Sequence, residues 1–159
     1  MRKIILLILV ASIFSLSGFA QTLVGINVSS AGWKRVATLG GSVGRGIHEV
    51  TILTSGGNYT PHMTTFKFFK GWTNYGGLYI TNESTSAHWS DARITFDGTV
   101  AYLEVNFTKA ITSNLAAFVH ESSWGSISIN AGVLPEGGGD IVCEAKVGKL
   151  NVDNKLFVK

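Results

Sequence analysis

The sequence predicts an all-β protein, a two-sheet antiparallel β-sandwich of about nine strands in one domain. Short stretches of alternating apolar and polar residues recur along the chain, and a period of two is typical of strands with one buried face. Glycine-rich segments separate these stretches, and the chain has 19 glycines in 159 residues. Helical periodicity is almost absent. Many short strands in a single domain favour two packed sheets.

Four strands are predicted in the first half of the chain. Each lies between connections rich in glycine, asparagine and serine, where glycine supplies the positive φ angles that tight turns need. A phosphate-binding role for these glycines is disfavoured, because no connection has the strand, spaced glycines and helix of such a motif. The four strands are Trp33 to Leu39, Ile47 to Thr54, Thr64 to Phe69 and Leu78 to Asn82.

The second half of the chain has the clearest alternation. Asp97-Gly98 separates two strands and is a strong hairpin signal. In the second of them, Leu103 and Val105 share an apolar face, whereas Tyr102, Glu104 and Asn106 are expected on a wetter face. The segment from Phe107 to Asn114 is interpreted as a loop that crosses a sheet edge. The strands predicted here are Ala92 to Asp97, Thr99 to Phe107, Leu115 to His120, Ile127 to Val133 and Ile141 to Val147.

The first twenty residues have the pattern of a secretory signal peptide. Met1-Arg2-Lys3 is basic, an apolar run follows from Ile4 to Val10, and the small-residue exit Gly18-Phe19-Ala20 predicts cleavage before Gln21. We therefore expect a protein that is secreted or held at the cell surface, with the periplasm as a further possibility. The predicted organisation is a signal peptide at 1–20, a short lead-in at 21–31, a β-sandwich domain at 32–148 and a β tail or stalk start at 149–159.

Charge and hydropathy exclude several classes of partner. Without the leader the chain has 11 basic and 10 acidic side chains, and no basic run suits nucleic acid. No second long apolar stretch follows the leader, so we expect no membrane-spanning helix in the mature chain. Cys143 is the single cysteine, which excludes an internal disulfide. Its alternation with Ile141 and Ala145 predicts a buried, unreactive thiol.

The sequence contains no recognisable catalytic or metal-binding motif. The four histidines lack the close spacing of metal ligands, and His62 and His88 are expected in polar, solvated loops. No strand carries several acids on one face, so Glu104 with Asp91 or Glu83 is interpreted as a set of solvated surface acids rather than a glycosidase pair. We expect no catalytic residue, no metal site and no cofactor.

Aromatic residues within polar connections give the best functional cue. A large ring among Gly, Asn and Thr can offer a stacking face with hydrogen-bonding groups around it, as a sugar requires. The alternative is that these rings close the ends of the sandwich, and Trp33 and Trp124 are assigned to the core. The candidate ligand-binding residues are Tyr59, Trp72, Tyr75 and Trp89.

The order and spacing of several segments resemble the jelly-roll head modules of phage-type tail fibres and related bacterial surface fibre proteins. The resemblance covers most of residues 30–159, and it implies a jelly-roll sandwich, a knob that binds carbohydrate or a receptor, and a trimer followed by a stalk. The segments that carry it are Gly32-Trp33-Lys34-Arg35-Val36-Ala37, Arg45-Gly46, Asp97-Gly98, Ala101-Tyr102-Leu103-Glu104-Val105, Ser123-Trp124 and Gly148-Lys149-Leu150-Asn151-Val152-Asp153.

The end of the chain carries apolar residues beyond the needs of a closed domain. Leu150 and Val152 precede a polar turn, and Leu156 and Val158 follow it, so this tail is expected to pair with other chains. The sequence therefore predicts a secreted, non-catalytic binding or adhesion module, a homo-oligomer that recognises surface glycan. Two alternatives stay open: a purely structural subunit of a surface fibre, and a small polysaccharide-active enzyme.

Overall fold

The computed structural model describes residues 22–40, 45–71, 75–82, 88–122 and 127–146, and every regular element within these ranges is a β-strand. The all-β prediction is confirmed. The strands are β1 Val24–Val28, β2 Gly32–Leu39, β3 Gly46–Thr54, β4 His62–Lys70, β5 Tyr75–Asn82, β6 Trp89–Phe96, β7 Ala101–Phe107, β8 Ile111–Ser122, β9 Ile127–Ile129, β10 Gly132–Val133 and β11 Asp140–Lys146. No helix long and apolar enough to cross a membrane occurs in these ranges.

The strands form two sheets. The first has the order β10-β1-β8-β3-β4-β5 and the second the order β11-β6-β7-β2-β9. Neighbours are antiparallel except β1 and β10, which run parallel and so correct the expectation of wholly antiparallel sheets. Both sheets contribute to one buried apolar core, with Ile52 and Phe66 from the first and Ile94 and Leu103 from the second. The arrangement is sandwich-like, because two sheets share one hydrophobic interior.

Strand β1 lies inside the segment expected to be a lead-in. It pairs with β8 and β10, and its side chains Ile26 and Val28 are fully buried. The alternation that places them inward is present in the sequence, but it is short, and the opposite face carries Gly25, a residue that is unfavourable in strands. Sheet pairing on both sides supplies the stability that local propensity lacks.

Strand β8 begins at Ile111, within the segment expected to be a loop. Asn114 has a φ of 55°, and the register of β8 with β1 shifts beside it. A residue in the left-handed region interrupts strand alternation, so the period of two is lost at this point. Only residues 108–110 connect β7 to β8.

The Asp97-Gly98 hairpin between β6 and β7 is confirmed. Gly98 has a φ of 95°, and one carboxylate oxygen of Asp97 accepts hydrogen bonds from the backbone amides of Thr99 and Val100. The amides of Val100 and Thr99, with the Tyr102 hydroxyl, lower the pKa of Asp97 because they stabilise its ionised form. This turn sets the register of the central part of the second sheet.

Candidate functional site

A groove of about 310 Å³ opens on the outer face of the first sheet. Its floor and walls come from neighbouring strands β8, β3, β4 and β5, so the groove crosses the strands rather than following one of them. This surface is called the sheet groove below. The lining residues are Glu49, Thr65, Lys67, Tyr79, Thr81 and His120.

Strand register explains why these side chains meet. Glu49 lies opposite Lys67, which lies opposite Tyr79, and a second row runs parallel through Thr65 and Thr81. Residues directly opposite each other in antiparallel strands place their side chains on the same face. Lys67 forms an ion pair with Glu49 across this row. The groove therefore places one pair of opposite charges beside an aromatic ring.

Tyr79 gives the groove its exposed aromatic surface. Its neighbours Leu78 and Ile80 pack against the core, so alternation along β5 directs Tyr79 outward, and 63% of it is exposed. An outward tyrosine of this exposure leaves a ring face and a hydroxyl accessible to a ligand.

His120 reaches the groove through a β-bulge. The register of β3 with β8 shifts between Glu49 and Val50, which leaves His120 as the extra residue of β8. A bulge of this kind redirects side chains out of the regular alternation. The imidazole of His120 lies 4.5 Å from the ring of Phe118, measured between centroids, and is exposed.

An apolar pair lies on the same outer face. Ile47 of β3 is opposite Phe69 of β4, and their exposed fractions are 45% and 37%. The outer face of the first sheet thus presents apolar surface, an aromatic ring, hydroxyls and both signs of charge. This combination suits a ligand that has both apolar faces and hydroxyl groups.

Of the residues predicted to bind ligand, Tyr59 and Tyr75 lie at opposite ends of the sandwich. The Tyr59 hydroxyl accepts a hydrogen bond from the Thr112 amide at 3.2 Å, where β8 begins. Tyr75 packs beside Phe96 at the end of β6, and burial raises its pKa. Trp72 lies outside the described residues. The predicted aromatics therefore do not form one site within the described part of the chain.

Trp89 requires a correction, because it is fully buried. Its indole nitrogen donates a hydrogen bond to the Thr64 hydroxyl at 2.9 Å, and its ring packs edge-on against His62 and Phe107. A ring with no exposed face cannot stack on a ligand. Because the residues around Trp89 are polar, the sequence does not indicate that its side chain points into the core.

His62 and His88 were expected in solvated loops and are buried instead, with exposed fractions of 2% and 4%. His62 is the first residue of β4, and its side chain follows the inward-facing set of that strand. His88 immediately precedes β6. Both histidines lie beside Trp89 at the end of the sandwich where Tyr59 is found.

Glu104 also requires a correction, because its side chain is completely buried although it lies on the outer face of β7. Its oxygens accept hydrogen bonds from Arg93 at 2.8 Å, Arg35 at 3.4 Å and the Gly138 amide at 2.7 Å. Residues 135–139 cross over the second sheet at this point and are called the strap. The strap removes Glu104 from solvent, so this carboxylate is not a surface acid.

Trp33 belongs to this outer face and not to the core. Its ring lies under the guanidinium of Arg93, with 4.1 Å between the carbon and the ring centroid. Arg35 stacks in the same way over Tyr102 at 3.9 Å. Two arginines are therefore held between aromatic rings and a shared carboxylate, an arrangement that stabilises the second sheet. Trp124 lies outside the described residues.

Cys143 is half-buried, and burial raises the pKa of its thiol. Ala145 shares its inward face, but Ile141 does not, because a register shift between Ile141 and Cys143 leaves Ile141 53% exposed. Within the described ranges no group of three or more His, Cys, Asp or Glu side chains is placed to hold a metal ion.

The sheet groove is the residue set that sequence reasoning missed. Tyr79 lies in Leu78-Tyr79-Ile80, where a tyrosine between inward aliphatic residues is the available signal, but Glu49, Lys67 and His120 are distant in sequence. Only strand pairing brings them together. Comparisons of the chain with protein-family models, with curated proteins and with solved structures found no match.

Proposed function

We propose that the protein is an exported, non-catalytic binding or adhesion module that holds surface carbohydrate in the sheet groove. The observation that carries this proposal is the exposed ring of Tyr79 in a groove whose other lining groups are hydroxyls, a carboxylate, an ammonium and an imidazole. Pyranose rings have an apolar face that stacks on aromatic rings and hydroxyls that need donors and acceptors. The groove offers both kinds of contact side by side.

The dimensions of the groove suit a short stretch of extended saccharide. It crosses four strands, and three interstrand spacings amount to about 14 Å. A chain lying across the strands would contact His120 at one side and Tyr79 with Thr81 at the other. Stacking on one aromatic ring contributes on the order of 1 kcal/mol, so several polar contacts must add to it.

The groove favours binding over hydrolysis. Glycoside hydrolysis generally uses two carboxyl groups on either side of the scissile bond. Among the side chains that the structure describes, the lining contains one carboxylate, that of Glu49, and it is paired with Lys67. A polysaccharide-active enzyme is therefore the weaker alternative. Product release from a panel of polysaccharides, abolished by Glu49→Gln, would support that alternative and contradict our proposal.

Tyr79→Ala should weaken binding to the glycans recognised by the native protein about tenfold, because the stacking contact is removed while the buried side of β5 is untouched. Glycan-array binding followed by titration calorimetry measures the change. Tyr79→Phe should bind within about threefold of the native protein, since it keeps the ring.

Val133→Ala is the matched control, because Val133 is 65% exposed and lies on β10, outside the groove. It should leave binding unchanged. Equal affinity of the native protein and Tyr79→Ala for an array glycan would place the site elsewhere. Absence of binding to any glycan would favour the structural-subunit alternative, which the exposed Ile141 and Val142 of strand β11 also suit.

We include in this proposal a jelly-roll arrangement of the strands, a trimeric state and export from the cytoplasm. Nested pairing of β1 with β8 and of β2 with β7 supports a jelly-roll arrangement, since a jelly roll folds outer strands around inner ones. The resemblance to tail-fibre heads adds a trimeric, surface-exposed knob. Export rests on the pattern of residues 1–20, which lie outside the described residues.

A further inference from the structure

Two histidines form a buried cluster at one end of the sandwich, on a different surface from the sheet groove. The ring centroids of His62 and His88 are 5.5 Å apart, and the Trp89 ring lies 4.4 Å from His62. Both histidines are almost completely buried. Protonation of His62 is unfavourable in this environment, because burial removes water from the charged ring and the imidazole of His88 lies against it.

His88 connects the loops at this end. Its Nε2 lies 2.9 Å from the carbonyl oxygen of Thr60 and donates to it. Its own carbonyl oxygen accepts hydrogen bonds from the amide of Thr108 at 2.9 Å and from the Thr108 hydroxyl at 3.0 Å. One residue therefore links the β3–β4 loop to the β7–β8 loop.

His62 supports this connection from inside. Its Nε2 lies 3.2 Å from the Thr64 hydroxyl, which also accepts a hydrogen bond from the Trp89 indole. The other ring nitrogen, Nδ1, is buried and has no hydrogen-bond partner among the described residues. Protonation would place a full charge on a ring that has an unsatisfied nitrogen and stands against another imidazole.

We propose that His62 and His88 form an acid-sensitive latch that keeps the loop end of the sandwich closed near neutral pH and releases it on acidification. Release means loss of the Thr60–His88 and His88–Thr108 links, with the two sheets still folded. The latch is independent of carbohydrate binding, because no residue of the sheet groove takes part in it.

The charged and titratable surroundings give the direction of the effect. His88 faces His62, and Tyr59 from the β3–β4 loop faces His88 with 6.1 Å between the ring centroids. Lys109 from the β7–β8 loop lies over the Tyr59 ring, with its ammonium 5.4 Å from the ring centroid. No ion pair to either histidine is found in the described part of the chain. Burial of His62 and the adjacent imidazole of His88 both oppose protonation of His62.

The pKa of His62 agrees with this direction. Burial, with a smaller effect of the neighbouring His88 charge, lowers it to about 4 from 6.5. The closed state therefore excludes a proton that the opened state binds. The stabilisation is complete above pH 6.5 and is lost progressively as the pH falls toward 4.

Imidazole NMR titration of the native protein tests the closed state directly. The ring signals of His62 should titrate well below pH 5.5. Titration of His62 near 6.5 with the loops still closed would overturn the proposal.

Amide hydrogen exchange tests the release. The reporters are Ser55, which donates to the Asn114 carbonyl, and Thr108, which donates to His88. Their protection factors, corrected for intrinsic rates, should fall at least tenfold between pH 7.5 and pH 5. Protection in the centre of β2 and β7 should change less than threefold. An equal loss everywhere would indicate global unfolding and contradict a local latch.

His62→Phe should remove the pH dependence at both reporters, because it keeps a ring against Trp89 and removes the titrating group. His62→Gln serves as the second variant if the His62→Phe protein does not fold. If neither variant folds, the imidazole NMR titration of the native protein decides the question. His120→Gln should retain the native pH profile. Retention of that profile by a folded His62 variant would overturn the proposal.

Discussion

Glu104 is a buried carboxylate with a structural role, although the alternation of β7 predicts a solvated one. The strand places it on the outer face of β7, where a carboxylate is ordinarily solvated. Two arginines and the Gly138 amide surround it instead, and Arg35 also donates to the Gly138 carbonyl oxygen at 3.1 Å. A buried charge is tolerated when its hydrogen-bonding capacity is used in this way.

Replacing Glu104 tests this account at the residue scale. Glu104→Gln should lower the free energy of unfolding by about 3 kcal/mol, because two arginines lose their shared carboxylate in a covered site. Urea denaturation at pH 7 measures the change. Glu144→Gln, on an exposed side chain of β11, is the matched control and should stay within about 0.5 kcal/mol of the native protein. Equal stability of the two variants would contradict a structural role for the Glu104 charge.

At the scale of elements, the strap depends on a glycine that lies directly against the second sheet. The Gly137 amide donates to the Trp33 carbonyl oxygen at 2.8 Å, so the strap backbone lies directly against β2. A side chain at Gly137 would begin 2.7 Å from a Glu104 oxygen and 2.8 Å from the Trp33 Cβ. At Gly138 nothing lies within 4 Å of that position.

These neighbouring glycines provide a matched pair of variants. Gly137→Ala should lower the free energy of unfolding by about 1–3 kcal/mol, because the added methyl group overpacks a covered contact. Gly138→Ala should change it by less than about 0.5 kcal/mol. Thermal and urea denaturation of both variants measure the difference. A Gly137→Ala protein as stable as Gly138→Ala would show that the strap can move away from β2 without loss.

At the scale of the whole molecule, each sheet has one short and one long edge strand. Edge strands β9 and β10 have three and two residues, and such short edges offer little template for another chain. Edge strands β5 and β11 are longer, with eight and seven residues. Ile141 and Val142 on β11 are exposed. This side of the molecule is therefore the more suitable one for contact with other chains.

The predicted tail leads to a test of assembly. We expect residues 21–159 to form a homo-oligomer, a trimer by the resemblance to fibre heads, because Leu150, Val152, Leu156 and Val158 exceed the needs of a closed domain. Deleting residues 149–159 should lower the oligomeric state and leave the circular dichroism of the sandwich unchanged. Light scattering of both proteins measures the masses. A monomer before and after deletion would contradict the prediction.

Strand pattern was the part of the architecture that could be predicted from residues alone. The inward face of β7, with Leu103 and Val105, and the Asp97-Gly98 turn follow from alternation and local turn chemistry. The described residues among the predicted ligand-binding aromatics do not form one site, since Trp89 is inside the core and Tyr59 and Tyr75 lie at opposite ends of the sandwich. Composition identifies an aromatic ring in a polar segment but not the direction in which its side chain points.

Strand periodicity and glycine turns are local properties, so residue patterns were enough to predict that this chain folds as β-strands, where most of them lie and which faces are apolar. Which outer faces are solvated, and which residues meet, depends on the packing of distant segments. The strap buried Glu104, the sandwich end enclosed His62, and strand pairing assembled Glu49, Lys67 and Tyr79. These outcomes depend on contacts between distant segments, and no local pattern records which segments will pair.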